Sequence, residues 1–166
     1  MRRFMAGFLL LFMTVAMAGG PALAAGTDES KTSQPGATDD PRWNEAMTAV
    51  KAKRFEAAIP PLQALATKFP DNPDVYNYLG YSNSQLAHYD QAKTFYAKAL
   101  ALNPKHRGAN EYLGELYLKL GDLPAAEERL AVLDGACFFG CDEYTELKAA
   151  IAEYKSSGKY TGSKIQ

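Results

Sequence analysis

The sequence predicts an all-α solenoid of three helix-turn-helix repeats closed by a C-terminal capping helix. Ala58, Ala92 and Ala126 recur at intervals of 34 residues, and Pro70 with Pro104 and Leu79-Gly80 with Leu113-Gly114 keep the same interval. A fixed period of this size marks stacked copies of one supersecondary unit, none of which buries its apolar face alone. Within each copy the apolar residues step by three and four, the spacing of a helix buried along one stripe.

Residues 1–24 have the form of a secretory signal peptide. Arg2 and Arg3 supply a positive start, Phe4 to Met17 an apolar run broken only by Gly7 and Thr14, and Gly19-Gly20-Pro21 a helix break before Ala22-Leu23-Ala24. The run falls short of the roughly 18–20 apolar residues that span a bilayer, so cleavage rather than anchoring is expected. No cysteine stands at the cleavage point, which argues against a lipid anchor, and Arg2-Arg3 reads as ordinary n-region charge. Later residues hold no second apolar run, so the mature chain is expected to have no membrane span and to be exported, in a bacterial periplasm. Cleavage removes two positive charges and changes the net charge from −1 to −3. With no basic stripe, nucleic acid is not an expected partner. Residues 25–40, rich in Thr, Ser, Gly, Pro and Asp, are expected to form a flexible linker.

The repeats are framed as 39–72, 73–106 and 107–140, followed by a capping helix at 141–155. In the second frame Tyr76, Leu79, Gly80 and Asn83 belong to the first helix, and Ala92, Tyr96 and Ala99 to the second. The third frame has Leu113, Gly114 and Tyr117, then Ala126, Leu130 and Leu133. Glycine inside a helix costs about 0.5–1 kcal/mol relative to Ala. Gly80 and Gly114 therefore imply a close helix crossing, with Ala92 and Ala126 as the facing small residues. Pro70 and Pro104 end second helices, since proline lacks a donor and clashes with the preceding turn. Gly121-Asp122 turns the chain in the third frame and Ala87-His88-Tyr89 in the second. After the third pair, Tyr144, Leu147 and Ile151 fill the apolar slots of one more first helix, with Glu146, Lys148, Glu153 and Lys155 on its outer side. Residues 156–166 are expected to fray.

These residues resemble the tetratricopeptide repeat, whose signature is W-x2-L-G-x2-Y…A-x3-F…P. The second frame carries Y-N-Y-L-G-Y-S-N and A-K-T-F-Y-A-K-A-L-A-L-N-P, and the third N-E-Y-L-G-E-L-Y. In the first frame Glu45-Ala46 replaces Leu-Gly and Trp43 is shifted by one residue, while Ala58, Leu62, Leu65 and Pro70 fit. The resemblance covers about residues 39–155 and implies a right-handed superhelix whose concave face is built from first helices. It also implies protein partners. By frame the candidate groove contacts are Trp43, Met47, Asn77, Tyr81, Gln85, Glu111, Glu115 and Leu118, with Val50 and Ser84 beside them. The Lys/Asn carboxylate clamp of some family members is not expected, because the corresponding positions, Trp43, Met47 and Asn77, lack a paired Lys.

Cys137 and Cys141 occupy the connector after the third pair, where Phe138 takes the slot of the helix-stopping proline. In an oxidising compartment they read first as a disulfide stapling the last repeat to the cap, with Gly135 and Gly140 easing the turn. Thiol–disulfide exchange and Cu(I) binding stay open. Two cysteines without a second ligand pair do not make a zinc tetrahedron. His88 and His106 lack a nucleophile partner and are expected to be solvated, while Tyr76, Tyr96, Tyr112 and Tyr117 are expected to pack. No phosphate loop or catalytic constellation emerges, so neither an enzyme nor a cofactor is expected.

The leading function is thus a non-enzymatic adaptor of the cell envelope that holds a peptide or partner helix in its groove. The alternatives are a redox or copper-handling accessory protein using Cys137 and Cys141, and a structural subunit bound through the convex face. Cleavage after Ala24 should give a mature protein beginning at Ala25 on N-terminal sequencing of exported material. A product that still begins at Met1 would identify a signal anchor.

Overall fold

The computed structural model describes residues 36–137 and 140–162, so the signal segment and Phe138 lie outside the described residues. The helices are α1 Pro41–Lys51, α2 Phe55–Lys68, α3 Pro73–Gln85, α4 Tyr89–Leu102, α5 Arg107–Lys119, α6 Leu123–Ala136 and α7 Asp142–Ser157. They pack as hairpins α1–α2, α3–α4 and α5–α6, with α2 against α3, α4 against α5, and α7 against both α5 and α6. This is an all-α helical solenoid.

Local chemistry sets the helix starts. Asn72 Oδ1 accepts from the Val75 amide at 3.2 Å and Asp122 Oδ1 from the Ala125 amide at 3.1 Å, each relieving an orphan donor of a first turn. Pro41, Pro73 and Pro124 stand in first turns, where a missing N–H costs nothing. Helix α2 is less regular, since Pro60 and Pro61 both lie inside it and leave two carbonyls without helical donors. The turn inside each hairpin needs one left-handed residue: Lys53 (φ 56°), Ala87 (φ 60°) and Gly121 (φ 82°) share one slot of the period. Only the third hairpin has glycine there.

The core runs along the stack between helix layers, through Leu62, Leu65 and Val75, then Tyr96 and Leu116, then Leu118, Leu133 and Leu147. The crossing at the helical glycines differs from the expected one. Ala92 and Ala126 are fully buried, but neither fills the space over a glycine. A Cβ on Gly80 would lie 2.6 Å from carbons of the Tyr96 ring, and one on Gly114 would lie 2.6 Å from a Leu147 methyl. The glycines accept a large side chain against bare backbone; they do not allow two small surfaces to meet.

On both sides of the repeats the described residues are more ordered than composition implies. Ala37–Asp39 form a 3₁₀ turn in which Ala37 is buried, so the part of the expected linker from residue 36 onward belongs to the packed structure. Asp40 caps α1 and binds Arg42 at 2.6 Å and Lys68 at 2.9 Å, tying the start of α1 to the end of α2. Those two cations hold its carboxyl well below the usual carboxylate range. At the other end the chain reverses at Gly158 (φ 70°), Thr161 bonds Glu153 at 3.0 Å, and Tyr160 packs into the last core cluster. Cys137 and Cys141 stand in disulfide geometry, Cα atoms 5.7 Å apart, between the end of α6 and the start of α7. So short a closed loop contributes about 2 kcal/mol on the chain-entropy account.

Gly80→Ala should destabilise by about 1–3 kcal/mol through overpacking against Tyr96, although Ala is the better helix former. Ala87→Gly should stabilise by about 0.5–1 kcal/mol by relieving the left-handed strain. Urea denaturation of both variants checks the pair, and shifts of the same sign would contradict this account of the hairpin.

Candidate functional site

The first helices α3, α5 and α7 lie side by side, and the N-terminal halves of all three border a groove of about 310 Å³. From α3 come Asp74, Asn77 and Tyr78, from α5 Gly108, Glu111 and Tyr112 with His106 at its cap, and from α7 Asp142, Glu143 and Glu146. The lining thus holds five carboxyl groups and no Lys or Arg. Arg107 reaches Glu143 at 3.7 Å from the side.

His106 is not the solvated side chain that its place on a connector suggested. Its side chain is only 10% exposed. The Ala109 amide donates to Nδ1 at 3.0 Å, which makes that nitrogen the acceptor. Nε2–H therefore donates to Asp74 Oδ1 at 2.9 Å, bridging α5 to the first turn of α3. That bond lowers the Asp74 pKa below its ordinary value and keeps the groove rim anionic. The neighbouring Asn110 is fully buried and donates to the carbonyls of Pro104 and His106, which fixes the connector.

Glu111 lies at the groove floor, 4% exposed. Burial, a hydrogen bond with Glu146 and the charges of Glu115, Glu146 and Glu143 push its pKa up to about 10. At neutral pH it holds a proton in the free groove. Asn77, also 4% exposed, has its Oδ1 buried with no hydrogen-bond donor among the described residues. A Cβ at Gly108 would sit 3.1 Å from the Asn77 Nδ2, so the glycine makes room for this amide.

Of the aromatic rings, Tyr78 and Tyr112 border the groove, and others pack behind them. Tyr81 packs against Phe55 with centroids at 5.7 Å and Tyr112 at 4.8 Å, and Trp43 meets Tyr78 edge-on at 5.5 Å. Burial and the Glu111 and Glu115 carboxyls raise the pKa values of Tyr81 and Tyr112. Farther along α5, the returning tail brings Tyr160 to Glu115, where burial and that carboxyl raise the phenol pKa.

The candidate contacts divide by position. Asn77 and Glu111 border the groove. Tyr81 and Leu118 are 3% and 1% exposed and belong to the core, so their truncation acts on packing. Glu115 is buried beneath the C-terminal segment. Trp43 and Met47 are half-buried against the first core cluster, and Gln85 is half-buried at the end of α3. Asp74, Tyr78, His106, Gly108, Tyr112, Asp142, Glu143 and Glu146 were not among the expected contacts. The period held a signal for three of them, because Tyr78, Tyr112 and Glu146 share the slot immediately after Asn77 and Glu111.

A group whose pKa is raised on folding binds its proton more tightly in the folded state. The stability it contributes is complete below about pH 4 and drains away as pH rises toward the folded value. On account of Glu111 the protein should lose on the order of 2–3 kcal/mol between pH 6 and pH 8. Glu111→Gln should flatten that slope in urea titrations at several pH values. An unchanged slope would mean that Glu111 is ionised in the folded groove.

Among the described residues no helix is long and apolar enough to cross a membrane, and no three His, Cys, Asp or Glu side chains converge as metal donors. No curated protein gives a significant match to the chain. The family model of the tetratricopeptide repeat matches residues 84–151, from the end of α3 into α7. With the 34-residue period and the stacked hairpins that carry it, the match shows that this part of the chain is built of tetratricopeptide repeats.

Proposed function

We propose that the protein is a non-enzymatic adaptor of the cell envelope, exported by its N-terminal signal segment, that holds a partner polypeptide in the groove of α3, α5 and α7. Tetratricopeptide repeats in general mediate protein–protein interaction, which supports the class of function. The observation that carries the assignment to this face is the groove itself. It is an open channel about 310 Å³ in volume, walled by tyrosines and floored by polar side chains. Its walls come from three successive first helices, so an extended segment laid across them would touch each repeat in turn. Tyr78 and Tyr112 offer rigid aromatic area of the kind that anchors partners. The paired cysteines act within this reading as a brace, because they fasten the end of α6 to the helix that supplies the third wall.

A photo-crosslinking amino acid placed at Glu146, on the groove, or at Gln91, on the outer helix α4, tests the reading in cells that express the protein. One discrete polypeptide adduct should form from Glu146 and at least tenfold less from Gln91. Adducts from Gln91 alone would assign the function to the convex face. Fractionation of the same cells reports whether the processed protein lies in the envelope, as the signal segment requires.

A further inference from the structure

We infer that the groove is a receptor for the guanidinium or ammonium side chain of a basic segment, so that the partner is recognised by an Arg or Lys inserted between α3, α5 and α7. The inference rests on the adaptor reading and adds the chemistry of what is held.

The first support is charge. Five carboxyl groups from three helices face one channel whose lining contains no Lys or Arg. A cluster of acids can be a solvated surface, and here two facts argue otherwise. Glu111 lies at the floor and is 4% exposed, and the Asn77 side chain beside it is equally buried with its Oδ1 lacking a donor. A buried acceptor without a partner forfeits its hydration, an arrangement costing about 1–3 kcal/mol unless something supplies the missing N–H. Among the described residues nothing supplies that N–H, which makes a donor inserted into the groove its source.

The identity of the donor follows from the rest of the lining. The donor sets for a metal ion do not converge among the described residues, which leaves an organic cation. Such a cation needs N–H groups for Asn77 Oδ1, countercharge from the Glu111–Glu146 pair, and a hydrophobic wall for its stem. Tyr78 and Tyr112 border the same channel and present ring surface for that stem and for cation–π contact. A planar guanidinium, with five donors in a fixed fork, satisfies an amide oxygen and a carboxylate together. An acidic segment would meet five acids and an acceptor, and is excluded by repulsion.

The test uses the full mature chain and three fluorescent octapeptides of Gly and Ser carrying two Arg, two citrulline or two Glu in the middle. Citrulline keeps the shape of Arg and removes its charge. At near-physiological salt the Arg peptide should bind at least tenfold more tightly than the citrulline peptide by anisotropy, and the Glu peptide should not bind. In NMR the Asn77 side-chain amide should shift on adding the Arg peptide. Glu146→Gln should weaken the Arg peptide about tenfold and leave the citrulline peptide unchanged, while Asp90→Asn on the outer face should alter neither. Equal affinity for the Arg and citrulline peptides would overturn the inference and leave the groove reading standing. So would an Arg affinity indifferent to Glu146→Gln, or an absence of Arg binding. The groove reading itself falls only if crosslinks arise from the outer face.

Discussion

Leu147 seated on the bare backbone of Gly114 is the contact on which the groove depends. Among the described residues no helix follows α7 to pair with it, so it is held on α5 and α6 by what its apolar stripe can bury there. A side chain at position 114 would occupy the place of the Leu147 methyls, and α7 would be pushed from α5. Asp142, Glu143 and Glu146 would move with it, and Glu111 would lose both its burial and its hydrogen-bonded neighbour. Three further ties keep α7 in place: the Cys137–Cys141 pair at its start, the 2.6 Å ion pair of Lys155 with Glu127, and the fold-back of Tyr160 onto the last core cluster. The ion pair is half-exposed and contributes little by itself. Most of the seating is apolar burial, with the cysteine pair limiting how far the unfolded end can wander.

The groove works against stability as well as for it. A native domain survives on a small difference between large terms, so a buried, proton-holding carboxyl and an unpaired amide oxygen are conspicuous expenses. They lie on the same floor, on the neighbouring helices α5 and α3, and an apolar pair of similar size would pack there without either cost. Local rules are broken at functional sites more readily than elsewhere. The contrast with Asn110 sharpens the point. That side chain is equally polar and fully buried, yet its amide bonds two connector carbonyls, as a purely structural Asn should.

Much of the fold was legible because stacking writes the same demand at each repeat. The period of Ala58, Ala92 and Ala126 named the hairpins, and Pro70 and Pro104 marked where second helices stop. Where the reading failed, the reason lay in three-dimensional pairing. The sequence marks Gly80 and Gly114 as places without a side chain, but not whether a small or a large neighbour fills the room; Tyr96 and Leu147 do so from different helices. His106 looked solvated because connectors usually are, and its bond to Asp74 crosses 32 residues. Tyr81 and Leu118 fell in groove slots by frame, but both lie buried in the core. The Thr/Ser/Gly-rich stretch before α1 hid Ala37, a single small residue that finds a core pocket.

The candidate site arises where the copies of the repeat disagree. One slot of the period holds Asn77 in α3 and Glu111 in α5, and the next holds Tyr78, Tyr112 and then Glu146. Stacking brings these unlike residues to one channel, so an amide, a carboxyl pair and two rings face each other although each was contributed by a nearly identical scaffold. A perfect repeat would present three identical rows and could only read a ligand that repeated in step. Divergence within the slots gives the channel a direction and one place of high negative charge, at the end closed by α7. Regularity builds the walls, and the departures from it determine what the walls can recognise.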